Sequence, residues 1–149
     1  MLKNADQVGI VLDDLDKFLE MMEGLLGISG FEVVEYPSKS TDAEILYHGQ
    51  ASGFKAKIAF KDLGNFQVEV IQPIEGPSIY QDFLDERGSG LHHIRFTSES
   101  FYEICDYLES QGIKQIASGR GVHGSSRWAY YDTSKVLQGL IIEIRKPKF

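Results

Sequence analysis

Several apolar stretches of this chain contain side chains that could bind a cation or move a proton. Two of only four histidines, His92 and His93, stand side by side in "GSGLHHIRFTSES" at residues 88–100. Glu69 lies within "NFQVEVIQP", and Glu143 interrupts the apolar run "LIIEIRK". A carboxylate on the inward face of a strand costs several kcal/mol unless it is paired or bound to a cation. These residues are therefore the first candidates for a functional site.

The side chains of the two adjacent histidines cannot both be expected to point the same way. Neighbouring residues of an extended strand point to opposite faces, so only one of His92 and His93 is expected to face inward. This alternation alone leaves open which of the two rings does so.

The elements that would position these residues occur twice in the chain. Gln7 precedes Leu15 by eight residues, and His93 precedes Phe101 by the same number. Each segment begins with a short apolar strand and continues with apolar residues at the spacing of a helix face. Residues that favour helix starts and stops flank both patterns: Asp13 or Asp14 and Gly27 in the first, Ser100 with Glu103 and Gly112 in the second.

The two halves also end alike. "AFKDLGNFQVEVIQP" and "AYYDTSKVLQGLIIEIRKP" both open with alanine, an aromatic residue, one further residue and aspartate, and both place a glutamate four residues before a proline. We interpret the chain as one α+β domain over residues 1–149, with two βαβββ modules at about 5–73 and 90–147 and a linker helix at about 77–87. If a pseudo-twofold relates the modules, the residues that converge are Gln7, Glu69, His93 and Glu143.

Composition narrows the choice of partners. The net charge of −7 argues against nucleic acid or an anionic membrane as the main partner. The start of the chain has no basic segment followed by a long apolar run, and no stretch reaches the length of a membrane helix. The single Cys105 cannot form an internal disulfide. We therefore expect a cytoplasmic protein that acts on a small molecule.

The paired modules, "HHI" on a first strand, "VEVIQP" and "IIEIRKP" resemble the vicinal oxygen chelate superfamily, which includes glyoxalases, bleomycin resistance proteins and dioxygenases. The similarity is nearest to the branch of methylmalonyl-CoA epimerase and glyoxalase I. It implies that each module rolls its sheet into a cup and that the two cups face one cavity holding a divalent metal. The ligands that it implies are Gln7, Glu69, His93 and Glu143. His93 is preferred to His92 because the family's ligand precedes the isoleucine of its "HI" pair, so His92 is expected to pack on the outer face.

The ligand set that the resemblance implies suggests a reaction. One nitrogen and several oxygen atoms suit Zn, Ni, Co, Mn, Fe or Mg better than a soft metal. The expected function is a metal-dependent isomerase or lyase that acts through a metal-stabilised enolate on a small carbonyl or thioester substrate. Glu143 or Glu69 is the expected proton acceptor.

Three further residues are expected to contact the substrate. Tyr130, from the pair Tyr130–Tyr131, is expected to line the cavity, while Arg120 and Arg127 flank a glycine-rich loop and could reach a ligand anion. We also expect a homodimer.

Two departures from the family pattern leave an alternative open. Gln7 stands where the family usually has histidine, and the catalytic glutamate of the epimerases would fall near Ser52 or Gly53. The chain is therefore expected to be a poor epimerase, with chemistry that needs one base, unless an unusual loop brings in Glu44. The alternative is a non-catalytic protein that binds or sequesters a small molecule, as the bleomycin resistance members do. Ring-cleaving dioxygenation is less favoured, because it generally needs two histidines and one carboxylate.

Overall fold

In the computed structural model, which describes residues 1–39 and 42–148, ten strands form one mixed sheet with three helices packed against it. The strands are β1 (Ala5–Val11), β2 (Glu32–Tyr36), β3 (Leu46–Tyr47), β4 (Gln50–Ala51), β5 (Lys55–Leu63), β6 (Phe66–Glu75), β7 (Gly90–Thr97), β8 (Gln115–Arg120), β9 (Arg127–Tyr131) and β10 (Ile141–Lys146). The helices are α1 (Leu15–Leu26), α2 (Ile79–Arg87) and α3 (Phe101–Ser110).

The strand order is symmetric about the centre of the sheet. It runs β2-β5-β6-β1-β7-β10-β9-β8, and the short hairpin β3-β4 extends the β8 edge. The central strands β1 and β7 are antiparallel, whereas β1 is parallel to β6 and β7 is parallel to β10. Each half thus has the order strand, helix and three strands around its own parallel pair. The predicted α+β fold with paired βαβββ modules in a curled mixed sheet is confirmed.

Strand alternation separates the cavity from the helix-covered face. On β6, Val68 and Val70 belong to the core that includes Leu15 of α1, while Glu69 on the opposite face lines a cavity. On β10, Ile142 and Ile144 pack in the core formed with α3, and Glu143 faces the same cavity. Because a strand has a period of two, the apolar layers under α1 and α3 fix the direction of the carboxylates.

The helices begin and end close to the predicted residues. The Asp14 carboxylate accepts a hydrogen bond from the Lys17 backbone N–H at 3.0 Å, and Gly27 ends α1 in the left-handed region at φ 67°. Glycine is favoured there because it has no Cβ. Ser100 precedes α3 as predicted, but its side chain makes no capping hydrogen bond. Within the described residues, no helix is long and apolar enough to cross a membrane.

Candidate metal centre

The four middle strands of the sheet each contribute one polar side chain to a common point. Gln7 comes from β1, Glu69 from β6, His93 from β7 and Glu143 from β10, and all four residues are buried. The Nε2 atom of His93 lies 3.1 Å from Glu143 Oε2, 3.8 Å from Glu69 Oε1 and 3.4 Å from Gln7 Oε1. The structure therefore brings together the four residues that the sequence singled out.

The chemistry of this cluster fits a divalent cation. One ligand atom from each of Glu69, His93 and Glu143 lies within 4.8 Å of the others. Glu143 Oε2 is buried and has no hydrogen-bond donor among the described residues, although it lies close to His93. Burial and the nearby Glu143 carboxylate raise the pKa of Glu69 to about 7. Two buried carboxylates that repel each other, with one oxygen atom left without a donor, are the surroundings that a cation would stabilise.

Both the nitrogen and the oxygen of the Gln7 side-chain amide make contacts within the cluster. Its Nε2 donates to Gln67 Oε1 at 2.7 Å and to Glu69 Oε2 at 3.3 Å. Its Oε1 is directed toward His93, so the oxygen is the atom of Gln7 that could contact a cation. The nitrogen holds the Glu69 carboxylate in place.

A β-bulge on β7 changes the direction of the two histidines. Gly9 pairs with His93 and Ile10 pairs with Leu91, which leaves His92 as the extra residue of the bulge. A bulge interrupts strict alternation and re-aims a side chain. Both rings are consequently buried, and their Nδ1 atoms lie 3.0 Å apart. The expectation that His92 packs on the outer face is wrong.

His92 is placed to orient His93. Its ring packs against Tyr80 and Phe83 of α2, and burial keeps its pKa well below the usual range, so it is neutral. If His93 Nε2 faces a cation, the proton of His93 lies on Nδ1 and is donated to the Nδ1 atom of His92. This arrangement fixes the tautomer of the ligand.

Gly9 provides the space for the His93 ring. A Cβ atom at this position would lie 1.9 Å from His93 Cε1, 2.2 Å from Nδ1 and 2.3 Å from Nε2. Real non-bonded carbon atoms approach to about 3.5–4.0 Å. Any other residue at this site would force the imidazole away from the carboxylates.

Glu69 and Glu143 of this cluster line a cavity of about 280 Å³, whereas Gln7 and His93 are not among its lining residues. Aromatic side chains form part of the cavity wall: Tyr36, Phe60, Tyr80, Trp128 and Tyr130. The Tyr80 hydroxyl donates to the Tyr130 hydroxyl at 3.1 Å, and the Tyr130 ring lies 4.9 Å from that of His93. Tyr130 thus occupies the position expected of a residue that lines the cavity.

The two other predicted substrate contacts lie elsewhere. Arg120 and Arg127 are opposite each other on β8 and β9 and donate to the two Glu44 oxygens at 2.7 and 2.8 Å. Neither arginine lines the cavity described above. These hydrogen bonds hold the pKa of Glu44 below its usual range. The Ser52 hydroxyl donates to the carbonyl oxygen of Pro77 and is likewise outside the cavity lining.

Five acidic or basic residues of the cavity lining were missed by the sequence reasoning: Glu32, Arg95, His123, Arg145 and Lys148. Arg95 and Arg145 follow His93 and Glu143 by two residues, so strand alternation could have placed them on the same face. Burial and the neighbouring Arg95 lower the pKa of Arg145. No local signal marks His123, because its loop lies over the cavity only once the sheet has curled.

Comparison with known proteins identifies the family. The profile of the glyoxalase/bleomycin resistance protein/dioxygenase superfamily matches residues 6–131. The chain belongs to this superfamily. The resemblance stated from the sequence is thereby confirmed, and the match includes Gln7, Glu69 and His93 but ends before Glu143.

Individual relatives are distant but cover nearly the whole chain. The uncharacterized protein YqjC of Bacillus subtilis (strain 168) is 22% identical over 147 residues, which are 99% of this chain and 94% of that protein. The crystal structure of methylmalonyl-CoA epimerase from Mycobacterium tuberculosis has a TM-score of 0.68 at 24% identity, covering 99% of this chain and 90% of that one. A Streptomyces coelicolor methylmalonyl-CoA epimerase in complex with 2-nitronate-propionyl-CoA has a TM-score of 0.69 at 20% identity, covering 98% and 95%. These structures share the fold.

Proposed function

We propose that the chain is a metal-dependent isomerase or lyase that acts through an enolate on a small carbonyl or thioester substrate. The observation that carries this proposal is the cluster of Glu69, His93 and Glu143, whose two carboxylates line the cavity and whose Glu143 Oε2 atom has no hydrogen-bond donor among the described residues. The similarity to methylmalonyl-CoA epimerases also supports the proposal. The structure of one of them is a complex with 2-nitronate-propionyl-CoA.

The residues that would hold the ion are Glu69, His93, Glu143 and the amide oxygen of Gln7. A divalent cation would supply positive charge opposite the negative charge that develops on the substrate carbonyl oxygen. Its identity is one of Zn, Ni, Co, Mn, Fe or Mg.

Within the protein, Glu143 is the proposed proton acceptor. Among the described residues its Oε2 atom has no hydrogen-bond donor, and its carboxylate lines the cavity, so it can take a proton from the carbon next to a bound carbonyl. Glu69 is the second candidate, because its carboxylate lines the same cavity. Tyr130 and the other aromatic residues of the wall would hold the apolar part of the substrate and exclude water.

The proposed chemistry uses one base. Inversion at carbon needs a second acid or base on the opposite side of the reacting atom. Ser52 lies outside the cavity lining, and Glu44 is bound by Arg120 and Arg127. Glu32 lies two strands from Glu69 on the same sheet face, about 10 Å away. With Glu143 as the single proposed base, a one-face proton shift or an elimination is favoured over epimerisation.

Hydrogen–deuterium exchange tests this function directly. The metal content of the purified protein is measured first, and the loaded protein is then incubated in D₂O with methylmalonyl-CoA, propionyl-CoA and the hemithioacetal of methylglyoxal and glutathione. Deuterium next to the carbonyl is expected by mass spectrometry, and Glu143→Gln should reduce the rate by about 10²–10⁴-fold. Glu44→Gln, outside the cavity, is the matched control. Exchange that persists unchanged in Glu143→Gln would contradict the proposal.

A non-catalytic binding protein is the second candidate. It is favoured by the aromatic wall, which offers stacking surfaces, and by the departure from the epimerase pattern at Ser52. Tight binding of an aromatic or acyl ligand by metal-free protein, without exchange on any of the three substrates, would support it against the enzyme.

We further propose that the protein is a homodimer that works in the cytoplasm. Light scattering coupled to size-exclusion chromatography tests the first statement, because a monomer would elute with the mass of one 16.8 kDa chain. Localisation of a tagged chain in cells tests the second.

A further inference from the structure

Two arginines stand beside the candidate metal centre on the cavity face. Arg95 follows His93 on β7 by two residues, and Arg145 follows Glu143 on β10 by two residues. Two residues along a strand span about 6.6–6.8 Å, and both arginines line the cavity. Arg95 is also the direct cross-strand neighbour of Glu143. Both arginine side chains therefore stand on the cavity face beside the candidate ligands.

The two arginines differ in their charge compensation: the carboxylates of Glu143, Asp6 and Glu69 help to raise the pKa of Arg95, whereas burial and Arg95 lower the pKa of Arg145. Arg95 Nε donates to Asp6 Oδ1 at 2.8 Å, and Asp6 reaches it because it is the extra residue of a bulge on β1. In the described part of the chain, the terminal nitrogens of Arg95 make no hydrogen bond, and the side chain of Arg145 makes neither a hydrogen bond nor an ion pair. The half-buried Arg145 side chain therefore lines the cavity with no ion-pair partner among those residues.

In the metal-free protein, the carboxylates of Glu69 and Glu143 offset part of the arginine charge. Glu69 and Glu143 converge with His93, and a divalent cation held there would offset both carboxylates. Asp6 then remains as the partner of Arg95 alone. Guanidinium groups form paired, charge-assisted hydrogen bonds with carboxylate or phosphate oxygens. A ligand anion between the two arginines would complete the charge balance.

We propose that Arg95 and Arg145 bind an anionic group of the substrate, a carboxylate or phosphate, and so select for small carbonyl acids. This inference rests on the proposed function, since the carbonyl of the same substrate lies at Glu69, His93 and Glu143. The spacing places the anion about 5–7 Å from the ligand atoms. The phosphates of a coenzyme A thioester are separated from its carbonyl by the whole pantetheine arm, so they cannot occupy this position.

A matched pair of small ligands tests the proposal. 2-Oxoglutarate and 2-oxopentanoate share the same oxo acid end and chain length, but only the first has a distal carboxylate. Their dissociation constants are measured by calorimetry on the metal-loaded full chain. 2-Oxoglutarate is expected to bind about tenfold more tightly or better. Arg145→Gln should remove the preference, Arg145→Lys should restore part of it, and Lys17→Gln, which removes an exposed charge on α1, should leave it unchanged.

A second measurement separates this inference from the metal proposal. Metal affinity is determined in a separate titration. Protein from which metal has been removed with a chelator is then titrated with inorganic phosphate and with malonate. Binding of either anion that disappears in Arg145→Gln supports the arginine site even if no metal binds, and the tighter anion shows which chemistry it prefers. Equal affinities for the two oxo acids in protein that does bind metal would overturn the inference and leave the proposed function standing. A preference that survives in Arg145→Gln would also overturn it.

Discussion

Replacing Gly9 by alanine should disable the metal centre while leaving the fold in place. The glycine lies on β1 opposite His93, and its backbone is not in the left-handed region, so alanine itself is not strained there. The problem is the new methyl group, which would lie 1.9 Å from His93 Cε1. The imidazole must then move by at least about 1.5 Å to restore ordinary contact.

The size of the effect follows from that displacement. Ligand distances in metal sites vary by only about 0.2 Å, so a ring shifted by about 1.5 Å no longer coordinates together with Glu69 and Glu143. Disturbing the support of a ligand typically lowers metal affinity about 10–100-fold, which removes about 1.4–2.7 kcal/mol of metal-dependent stabilisation at a fixed metal concentration. Overpacking in the metal-free protein should cost a further 1–3 kcal/mol or so.

Urea unfolding with and without divalent metal measures both quantities. Gly90→Ala is the control, because Gly90 lies on the same β7 strand as His93 and an added Cβ would meet no atom within 4 Å. The metal-free cost of Gly9→Ala should largely vanish in a His93→Ala background, since the clash is with that ring. A folded Gly9→Ala variant that keeps the full metal-dependent gain would refute the reasoning.

Three further outcomes are expected. His92→Ala should lower metal affinity about 10–100-fold in calorimetry, because His93 loses the partner of its Nδ1 atom, and an unchanged affinity would argue against that hydrogen bond. In protein from which metal has been removed with a chelator, the free energy of unfolding should fall as pH rises from about 4.5 to about 7. The reason is that the pKa of Glu69 is higher in the folded state than in the unfolded state. In Glu69→Gln, the free energy of unfolding measured by urea titration should depend less on pH. An unaltered pH dependence would exclude Glu69 as the cause. Glu44→Gln should leave metal affinity unchanged and alter stability little, because its ion pairs are exposed; a loss of metal binding would show that the loop is coupled to the centre.

The symmetric part of the site could be predicted from the sequence because it follows from a repeat. The matched offsets of Gln7 and His93 and the matched glutamates before two prolines imply equal positions in two equal modules. Strand alternation then puts Glu69 and Glu143 opposite the apolar residues that α1 and α3 cover. The same reasoning gives the fold class, since each module needs its helix to bury one face of its strands.

The other features of the site depend on structural irregularities that the periodicity of the sequence does not predict. A single bulge places His92 beside His93, and it is visible only in the pairing of β1 with β7. The role of Gly9 follows from a neighbour 84 positions away in the chain, so the glycine has no local signature. Arg120 and Arg127 were expected at the cavity mouth, but a loop residue, Glu44, binds both. Long-range side-chain pairing of this kind is decided by tertiary packing.

The symmetric strand order also determines when the site can form. The candidate ligands come from β1, β6, β7 and β10, so the first and last strands of the described chain must both be in place before Glu143 meets Gln7 and His93. Such contacts are distant in sequence, and closing long stretches of chain makes them slow to form during folding. Each module can pair its own strands earlier, but neither holds a complete ligand set. The capacity to bind metal should therefore arise at the end of refolding, after the secondary structure, and a chain shortened before β10 would never acquire it.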